Sequence, residues 1–229
     1  MALCKIVLGD CTDLLKDGID EMREAGFMPV IVTDPPFNIG YRYKSYKDKM
    51  PEGEYYKWLA SLTSDCASVI IHYPESLHKI SIAKGEAPIK VATWVYNSNT
   101  AKQHRDIAFY GVKPDFRRVK QPYKNPNDKR IRALMEQGRG GARLYDWWNI
   151  NQVKNVSREK TEHPCQMPID VMSNIIGILP DNIGVIDPFA GSGTTAIACA
   201  LRNVPFIGYE IDSDYCAIAQ RRIFDVAKD

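Results

Sequence analysis

The stretch from Val185 to Glu210 constrains this chain more than any other, because its character changes several times in quick succession. An apolar run over Ile183 to Ile186 stops at Asp187-Pro188, passes through Phe189-Ala190-Gly191-Ser192-Gly193, and continues as small residues from Thr194 to Leu201. Strand, glycine turn and helix follow in that order, since β-branched apolar residues suit a buried strand and closely spaced glycines supply a turn. A second apolar run, Val204 to Gly208, ends in Glu210, seventeen residues beyond Gly193. In a nucleotide-binding βαβ unit an acid at that place reaches ribose hydroxyls, so the unit reads as a seat for an adenosine-containing ligand. The plainer reading is a glycine turn that only packs helix on strand, and the G-x-G-x-x-A spacing also fits a dinucleotide fingerprint.

A second motif lies far away in sequence. Asp34-Pro35-Pro36-Phe37 follows the apolar run Val30 to Val32, so another strand ends in an acid, two rigid residues and an aromatic ring. Two strand ends that both carry polar chemistry are harder to explain by packing alone.

A chain of 229 residues can bury one sizeable core, and one α/β domain with an insertion is expected. No apolar run approaches twenty residues and the N-terminus passes almost directly into a strand, so neither a membrane span nor a signal peptide is expected and a cytoplasmic protein follows. Six cysteines without C-x-x-C spacing read as reduced, mostly buried thiols, and no metal site is expected. The net charge of +2 is unevenly placed: Lys113 to Arg143 holds ten Lys or Arg against three Asp or Glu. Such a segment suits a polyanion-facing insertion on a near-neutral core.

Hydrophobic periodicity predicts strands over Lys5 to Leu8, Met28 to Thr33, Ser68 to Tyr73 and Ile89 to Asn97, with Asp106 to Tyr110 as hairpin partner of the last. Helices are predicted over Asp13 to Ala25, Glu54 to Cys66, Pro74 to Lys84, Ile169 to Leu179 and Ser213 to Val226. Asn38 to Lys49 interleaves aromatic and basic residues without a period and reads as a mobile loop. Periodicity fails from Lys113 to about Asn155, where Pro114, Pro122, Pro126, Gly138, Gly140 and Gly141 interrupt it. The expected organisation is therefore residues 1–112, an insertion over 113–155, and 156–229 returning to the same domain. Trp58, Trp94 and one of Trp147 and Trp148 read as core. His72, His78 and His104 read as ordinary hydrogen-bonding residues.

Ligands of open α/β sheets sit outside the carboxyl ends of the strands, and Asp10, Asp34, Asp187 and Glu210 all fall at such ends. Glu210 is then placed to take ribose, Asp187 a cationic amino group and Asp10 an adenine amino group. Phe189 offers a flat apolar wall beside a turn that admits the ligand against bare backbone.

D-P-P-F, a basic insertion, His163-Pro164-Cys165-Gln166-Met167-Pro168, D-P-F-A-G-S-G-T-T and G-Y-E-I-D, in that order, resemble a β-class S-adenosylmethionine-dependent DNA amino-methyltransferase. The resemblance covers nearly the whole chain outside Lys113 to Asn155. It implies a doubly wound, mostly parallel sheet of seven strands with one antiparallel strand near its edge, the Rossmann-like methyltransferase fold. It also implies S-adenosylmethionine as cofactor, S-adenosylhomocysteine as product and DNA as partner, with a weak lean towards a homodimer. Carried over by position, it makes Asp34, Pro35, Pro36 and Phe37 the catalytic motif. The cofactor contacts become Asp10, Cys11, Asp34, His163, Gln166, Asp187, Phe189, Ala190, Gly191, Ser192, Gly193, Thr194, Glu210 and Ile211.

An acid at the head of D-P-P-F points, by the same resemblance, to adenine N6 rather than cytosine N4. An exocyclic amine is a poor nucleophile because its lone pair is delocalised into the ring. Asp34 and the Pro35 carbonyl, each accepting one N–H, favour a tetrahedral nitrogen. Phe37 is expected to stack on a base taken out of the duplex. Pro164-Cys165-Gln166 imitates the nucleophile motif of cytosine-5 methyltransferases but sits before a helix, so Cys165 reads as a passive packing residue. The usual H-P-T-Q-K-P has become H-P-C-Q-M-P, and Met167 removes a cation beside the cofactor's expected carboxylate unless another basic group replaces it. DNA contacts are expected from Tyr41, Arg42 and Lys44 in the first loop. Within the insertion they are expected from Arg117, Arg118, Lys120, Lys124, Arg130 and Arg132, with a short helix over Lys129 to Gln137. Competing readings are cytosine-N4 or RNA amino methylation, a DNA-binding subunit without catalysis, and a nicotinamide dehydrogenase.

Overall fold

The computed structural model describes residues 3–154, 157 and 159–226, and the expected end of the insertion at Asn155 lies outside them. Along the chain run β1 (Cys4–Leu8), α1 (Cys11–Glu24), β2 (Met28–Thr33), α2 (Glu52–Leu62), β3 (Ala67–His72), α3 (Pro74–Lys84), β4 (Lys90–Val95) and β5 (His104–Tyr110). There follow β6 (Lys120–Gln121), α4 (Lys129–Glu136), β7 (Ala142–Arg143), β8 (Trp147–Asn149), α5 (Ile169–Ile178), β9 (Ile183–Asp187), α6 (Thr194–Ala200), β10 (Phe206–Glu210) and α7 (Ser213–Val226). The doubly wound architecture expected from the sequence is present. The main sheet has the order β1-β10-β9-β2-β3-β5-β4-β8, with β5 antiparallel to both neighbours and the other pairings parallel. It has eight strands rather than seven, because Trp147–Asn149 of the insertion adds an edge strand beside β4.

Alternation along the strands decides which helices cover which face. Val30 and Val32 of β2 face one cluster with Val185, which α5 and α6 cover through Val171, Ile175, Ala196 and Cys199. Ile31 points the other way and meets Ile186 and Ile207 beneath Leu15, Ile19 and Met22 of α1. Ile31, Ile186 and Ile207 are fully buried, and each such side chain contributes about 1.5–3 kcal/mol of transfer free energy. The period-two strand pattern and the helical spacing of α1 therefore specify the same three-layer packing. Asp10 starts α1 by accepting the Thr12 N–H at 2.8 Å, an N-cap that satisfies an otherwise orphaned donor.

The chain winds away from the centre in both directions. From β9 it passes through α6 to β10 on one side, and from β2 through α2 to β3 on the other. Strands β9 and β2 are neighbours, so the winding reverses between them, and that is where doubly wound sheets open a crevice.

The insertion is less separate than its sequence suggests. Leu144 and Trp148 are buried in the main core, Phe116 and Val119 pack against it, and the projecting part is the β6–β7 ribbon with α4. Helix α4 forms close to its expected place, capped by Asp128, and buries none of its side chains. Trp94 and Trp148 are core residues as expected, whereas Trp147 is exposed and Trp58 is half-buried. Among the described residues no helix is long and apolar enough to cross a membrane.

Candidate active site

The crevice between β9 and β2 is a cleft of about 270 Å³. Its walls come from the ends of β1, β2, β9 and β10, from the 38–49 loop and from the 163–167 segment. D-P-P-F and the glycine turn, separated by about 150 residues of chain, thus face one space. Among the described residues six carboxylates line it, from Asp10, Asp34, Asp48, Asp187, Glu210 and Asp212, against one guanidinium, that of Arg105. Such a wall attracts cationic ligands and repels a pyrophosphate, which disfavours the dinucleotide reading.

The glycine turn is held by its acids. Asp187 is buried; its Oδ1 accepts from Phe189 N at 3.0 Å and its Oδ2 from Thr195 Oγ1 at 2.6 Å. Burial raises its pKa to about 6, against the opposing pull of those bonds. Glu210 accepts from Gly191 N at 2.8 Å through Oε2 and from Asp212 N at 2.9 Å through Oε1, so it braces the turn from the next strand. Burial also raises the Glu210 pKa. Each oxygen retains acceptor capacity for a ligand, because a carboxylate oxygen has two lone pairs.

The two glycines do different work. Gly191 faces the cleft at φ +53°, and a Cβ there would come within 3.0 Å of the His163 ring. Gly193, at φ +80°, lies outside the cleft lining and lets α6 approach Ala219 of α7, where a Cβ would sit 2.9 Å away. Of the two glycines in the turn, Gly191 is the one that lines the cleft. Ala190 and Ser192 also line the cleft with Thr194, and Arg222 Nη1 fixes the turn by donating to the Ser192 carbonyl at 2.7 Å.

The remaining expected cofactor residues divide likewise. Asp10, Cys11, His163 and Phe189 reach the cleft, with exposed Ile211 at its rim. Gln166 also lines the cleft, but it is largely buried and its amide is used internally: Oε1 accepts from Thr161 N and Oγ1, and Nε2 donates to the Glu159 carbonyl. It orders the loop that carries His163. That imidazole stands edge-on to Tyr215 at 4.6 Å, and burial lowers its pKa to about 4, so it is neutral. Among the described residues His163 Nδ1 has no hydrogen-bond partner, although it is buried in the cleft wall.

Catalytic-motif residues line the same space, held from behind. The Pro36 carbonyl accepts from Tyr55 Oη at 2.6 Å, and that hydroxyl also lies 2.9 Å from His72 Nε2. Phe37, expected to stack on an extruded base, lines the cleft with its ring packed against protein groups. Its ring stacks on His72 at 4.2 Å, meets Tyr73 edge-on at 4.9 Å and has the Arg105 guanidinium 4.7 Å from its centroid. His72 is thus a core hydrogen-bonder, as expected, and also a support for the motif. Burial raises the Asp34 pKa to about 6, with Arg105 pulling it down.

Arg105 was not legible as a site residue. Its strand is antiparallel, so it begins at the edge where the parallel strands end, and its second residue arrives at the cleft. Cys165 is exposed at the cleft, not packed inside, and partial burial raises its thiol pKa. A nucleophilic cysteine needs the opposite shift.

The expected DNA contacts scatter. Tyr41 and Arg42 are exposed, Tyr41 at the cleft. Lys44 is tied to Asp214 at 3.0 Å and its neighbour Ser45 donates to Asp212 at 2.6 Å, so the loop straps across to the start of α7. Asp48 closes the loop by accepting from the backbone of Asn38, Ile39 and Tyr41. Arg130 and Arg132 are exposed on α4, Lys120 on β6, and Lys124 lies over the Tyr145 and Trp147 rings. Arg117 and Arg118 lie elsewhere: they pair with Asp115 and Asp181, the latter just before the amino end of β9. The cleft is at the other end of that strand.

A doubly wound sheet with an acid-rich crevice at its reversal suits a ligand that carries positive charge, and S-adenosylmethionine is a sulfonium of that kind. The profile of the DNA methylase family matches residues 28–221, and the chain belongs to that family, as a β-class S-adenosylmethionine-dependent DNA methyltransferase. It is 28% identical over 252 residues to the type II methyltransferase M.BglII of Bacillus subtilis, spanning 95% of this chain and 68% of that one. It is likewise 28% identical over 241 residues to the DNA adenine methyltransferase YhdJ of Escherichia coli K12, spanning 92% and 81%. The fold is similar to that of M1.HpyAVI solved with S-adenosylmethionine, at a TM-score of 0.56, 23% identity and coverage of 95% and 98%. PvuII methyltransferase, described as cytosine-N4-specific, has a TM-score of 0.63 at 16% identity, covering 97% of this chain and 90% of that one.

Proposed function

We propose that this chain methylates the exocyclic N6 of adenine in duplex DNA, on a base turned out of the helix into the cleft. The observation that supports this reading is the placement of Asp34, one strand away from the glycine turn, in the wall of an anionic cleft. The cofactor supplies a methyl group made electrophilic by its sulfonium. Asp10, Glu210 and the bare face of Gly191 are the residues that would hold its nucleoside, and neutral His163 lies beside them.

Asp34 accepts one N–H of the target amine and the Pro35 carbonyl accepts the other. Consecutive prolines fix the backbone, so that carbonyl keeps its direction. With both N–H bonds held, the nitrogen turns tetrahedral, and its lone pair leaves conjugation with the ring and becomes nucleophilic. The nitrogen releases a proton once methylated, and a carboxylate of pKa about 6 can take it and pass it to water. No covalent enzyme intermediate is required, in keeping with the raised Cys165 thiol.

DNA is gripped, in this reading, by exposed cations of the projecting ribbon and α4, notably Lys120, Lys124, Arg130 and Arg132, with Tyr41 and Arg42 beside the cleft. The place of action is the cytoplasm, and the assembly state is a homodimer, for which light scattering with and without DNA is the check. Transfer of labelled methyl groups to duplexes offering only adenine or only cytosine as the candidate base tests the central reading. Adenine product that disappears in Asp34→Asn supports it; product from cytosine alone overturns it.

A further inference from the structure

The guanidinium of Arg105 enters the cleft without any role in the scheme above. It reaches Asp34 through one nitrogen, Nη1, which lies 3.3 Å from Oδ1 and 3.2 Å from Oδ2. The same nitrogen also donates to Met167 Sδ at 3.4 Å, a neutral and weak acceptor. Aromatic rings flank the cation, with Phe37 at 4.7 Å, Trp94 at 5.3 Å and Tyr96 at 6.0 Å from its centre. Both partners of the pair are largely withdrawn from water, at 15% and 14% side-chain exposure. An ion pair so placed is screened little by solvent, unlike the surface pairs elsewhere in the molecule.

We propose that Arg105 is a positioning residue for methyl transfer: its guanidinium keeps Asp34 a carboxylate and aims it into the cleft, so that Asp34 remains an acceptor for the target amine. This inference rests on the methyl-transfer reading and adds a residue to it. A single nitrogen shared between two oxygens uses one lone pair of each and leaves the others for the base. A protonated Asp34 would instead present a donor to a donor, and the amine would lose its partner.

Among the described residues no other cation approaches Asp34 comparably. Asp187 on β9 carries the same sign, and each acid disfavours ionisation of the other. Tyr43 from the loop, Tyr55 from α2, Tyr73 after β3 and Cys165 face the pair, and their raised pKa values keep them neutral near pH 7. His72, lowered to about 3 by burial, is neutral as well. Lys102 stands over the far ring, Tyr73, at 3.8 Å. Buried beside a like charge, Asp34 therefore depends on Arg105 for its ionised form. The dependence has a structural source in β5, whose reversed direction delivers a strand-start residue to the edge where Asp34 stands.

The experiment measures the single-turnover methylation rate between pH 5 and 9.5 for the wild-type protein, Arg105→Gln and Arg105→Lys, on whichever base accepts the methyl group. Removing a close opposite charge moves a carboxyl pKa by about 1–3 units, so the acid limb of Arg105→Gln is expected to rise by at least about one pH unit. Its rate near pH 6.5 then falls at least about threefold, and about tenfold or more where the shift approaches two units, and it recovers towards the wild-type value above pH 9. Arg105→Lys keeps the charge, and its acid limb is expected to stay near the wild-type one. A loss independent of pH overturns the proposal, as does an unshifted profile. A weakened affinity for S-adenosylhomocysteine with an unmoved profile also overturns it, assigning Arg105 to the cofactor carboxylate instead. If Arg105→Gln does not fold, Arg105→Lys carries the test: a loss that alkaline pH does not change refutes the idea. Carbon-13 NMR titration of Asp34, assigned with Asp34→Asn, reads the ionisation without any turnover. A wrong base assignment is thereby separated from a wrong role for Arg105.

Discussion

Thr195→Val tests how the glycine turn is held. The substitution is nearly isosteric, so it removes one hydrogen bond with little change of volume. In the structure Thr195 Oγ1 donates to Asp187 Oδ2 at 2.6 Å, and both residues are buried at 2% exposure. Asp187 keeps the Phe189 N–H as a second donor, at 3.0 Å. Hydrogen bonds to charged groups contribute about 1.5–3 kcal/mol, and the oxygen left behind is too deep for water to replace the donor. The expected loss at pH 8 is thus about 2 kcal/mol, or about 4–8 °C in Tm for a chain of this size.

The pH dependence sharpens the prediction. Burial raises the folded-state pKa of Asp187 to about 6 from an ordinary 3.8. A raised carboxyl pKa means that ionisation costs stability as pH climbs from the ordinary value through the raised one. Removing the Thr195 donor raises it further, so the variant is charged less often at low pH and the missing bond matters less there. The loss measured by urea denaturation should be largest at pH 8 and should shrink by more than half at pH 5. A loss equal at both pH values, or below about 0.5 kcal/mol at pH 8, would refute the view that this bond supports a buried carboxylate.

Gly191→Ala places a Cβ 3.0 Å from the His163 ring at φ +53°, and calorimetry should show at least tenfold weaker S-adenosylhomocysteine binding by a protein that still unfolds cooperatively. Asp34→Asn should reduce the single-turnover rate by about 10²–10⁴ while DNA affinity stays within twofold, as read by fluorescence anisotropy. Neutralising Arg130 and Arg132 together should weaken DNA binding and lower its salt slope by about one to two, whereas neutralising Arg117 and Arg118 should leave both unchanged. Gly18→Ala should lower Tm markedly, because a Cβ there lies 2.1 Å from Tyr209 Oη and forces α1 off β10.

Each strand-to-turn motif, read alone, tells where a chemically active loop lies along the chain. The run ending at Asp187, the glycines, the acid at Glu210 and the D-P-P-F turn all announced themselves by local pattern, because apolar periodicity and turn residues are properties of neighbours in sequence. The helices outside the insertion and most strands followed for the same reason, and a short helix over Lys129 to Gln137 was expected as well, whereas its Asp128 cap emerged from the structure. The short strands β6, β7 and β8 did not, since two or three residues carry no period.

Tertiary structure decided what each candidate touches. Only the strand order puts β9 beside β2, and only that adjacency lets Asp34 and Asp187 share a cleft. Charge counting grouped Arg117 and Arg118 with Arg130 and Arg132, yet the chain turns between them and delivers the first two to the far edge of the sheet. Arg105 shows the converse: nothing near it in sequence marks it, and it reaches Asp34 because its strand runs backwards. A sequence records which groups a chain owns at each strand end. Which of those ends meet is settled by the hydrophobic faces that pack the sheet, and those act over distances along the chain that no local pattern spans.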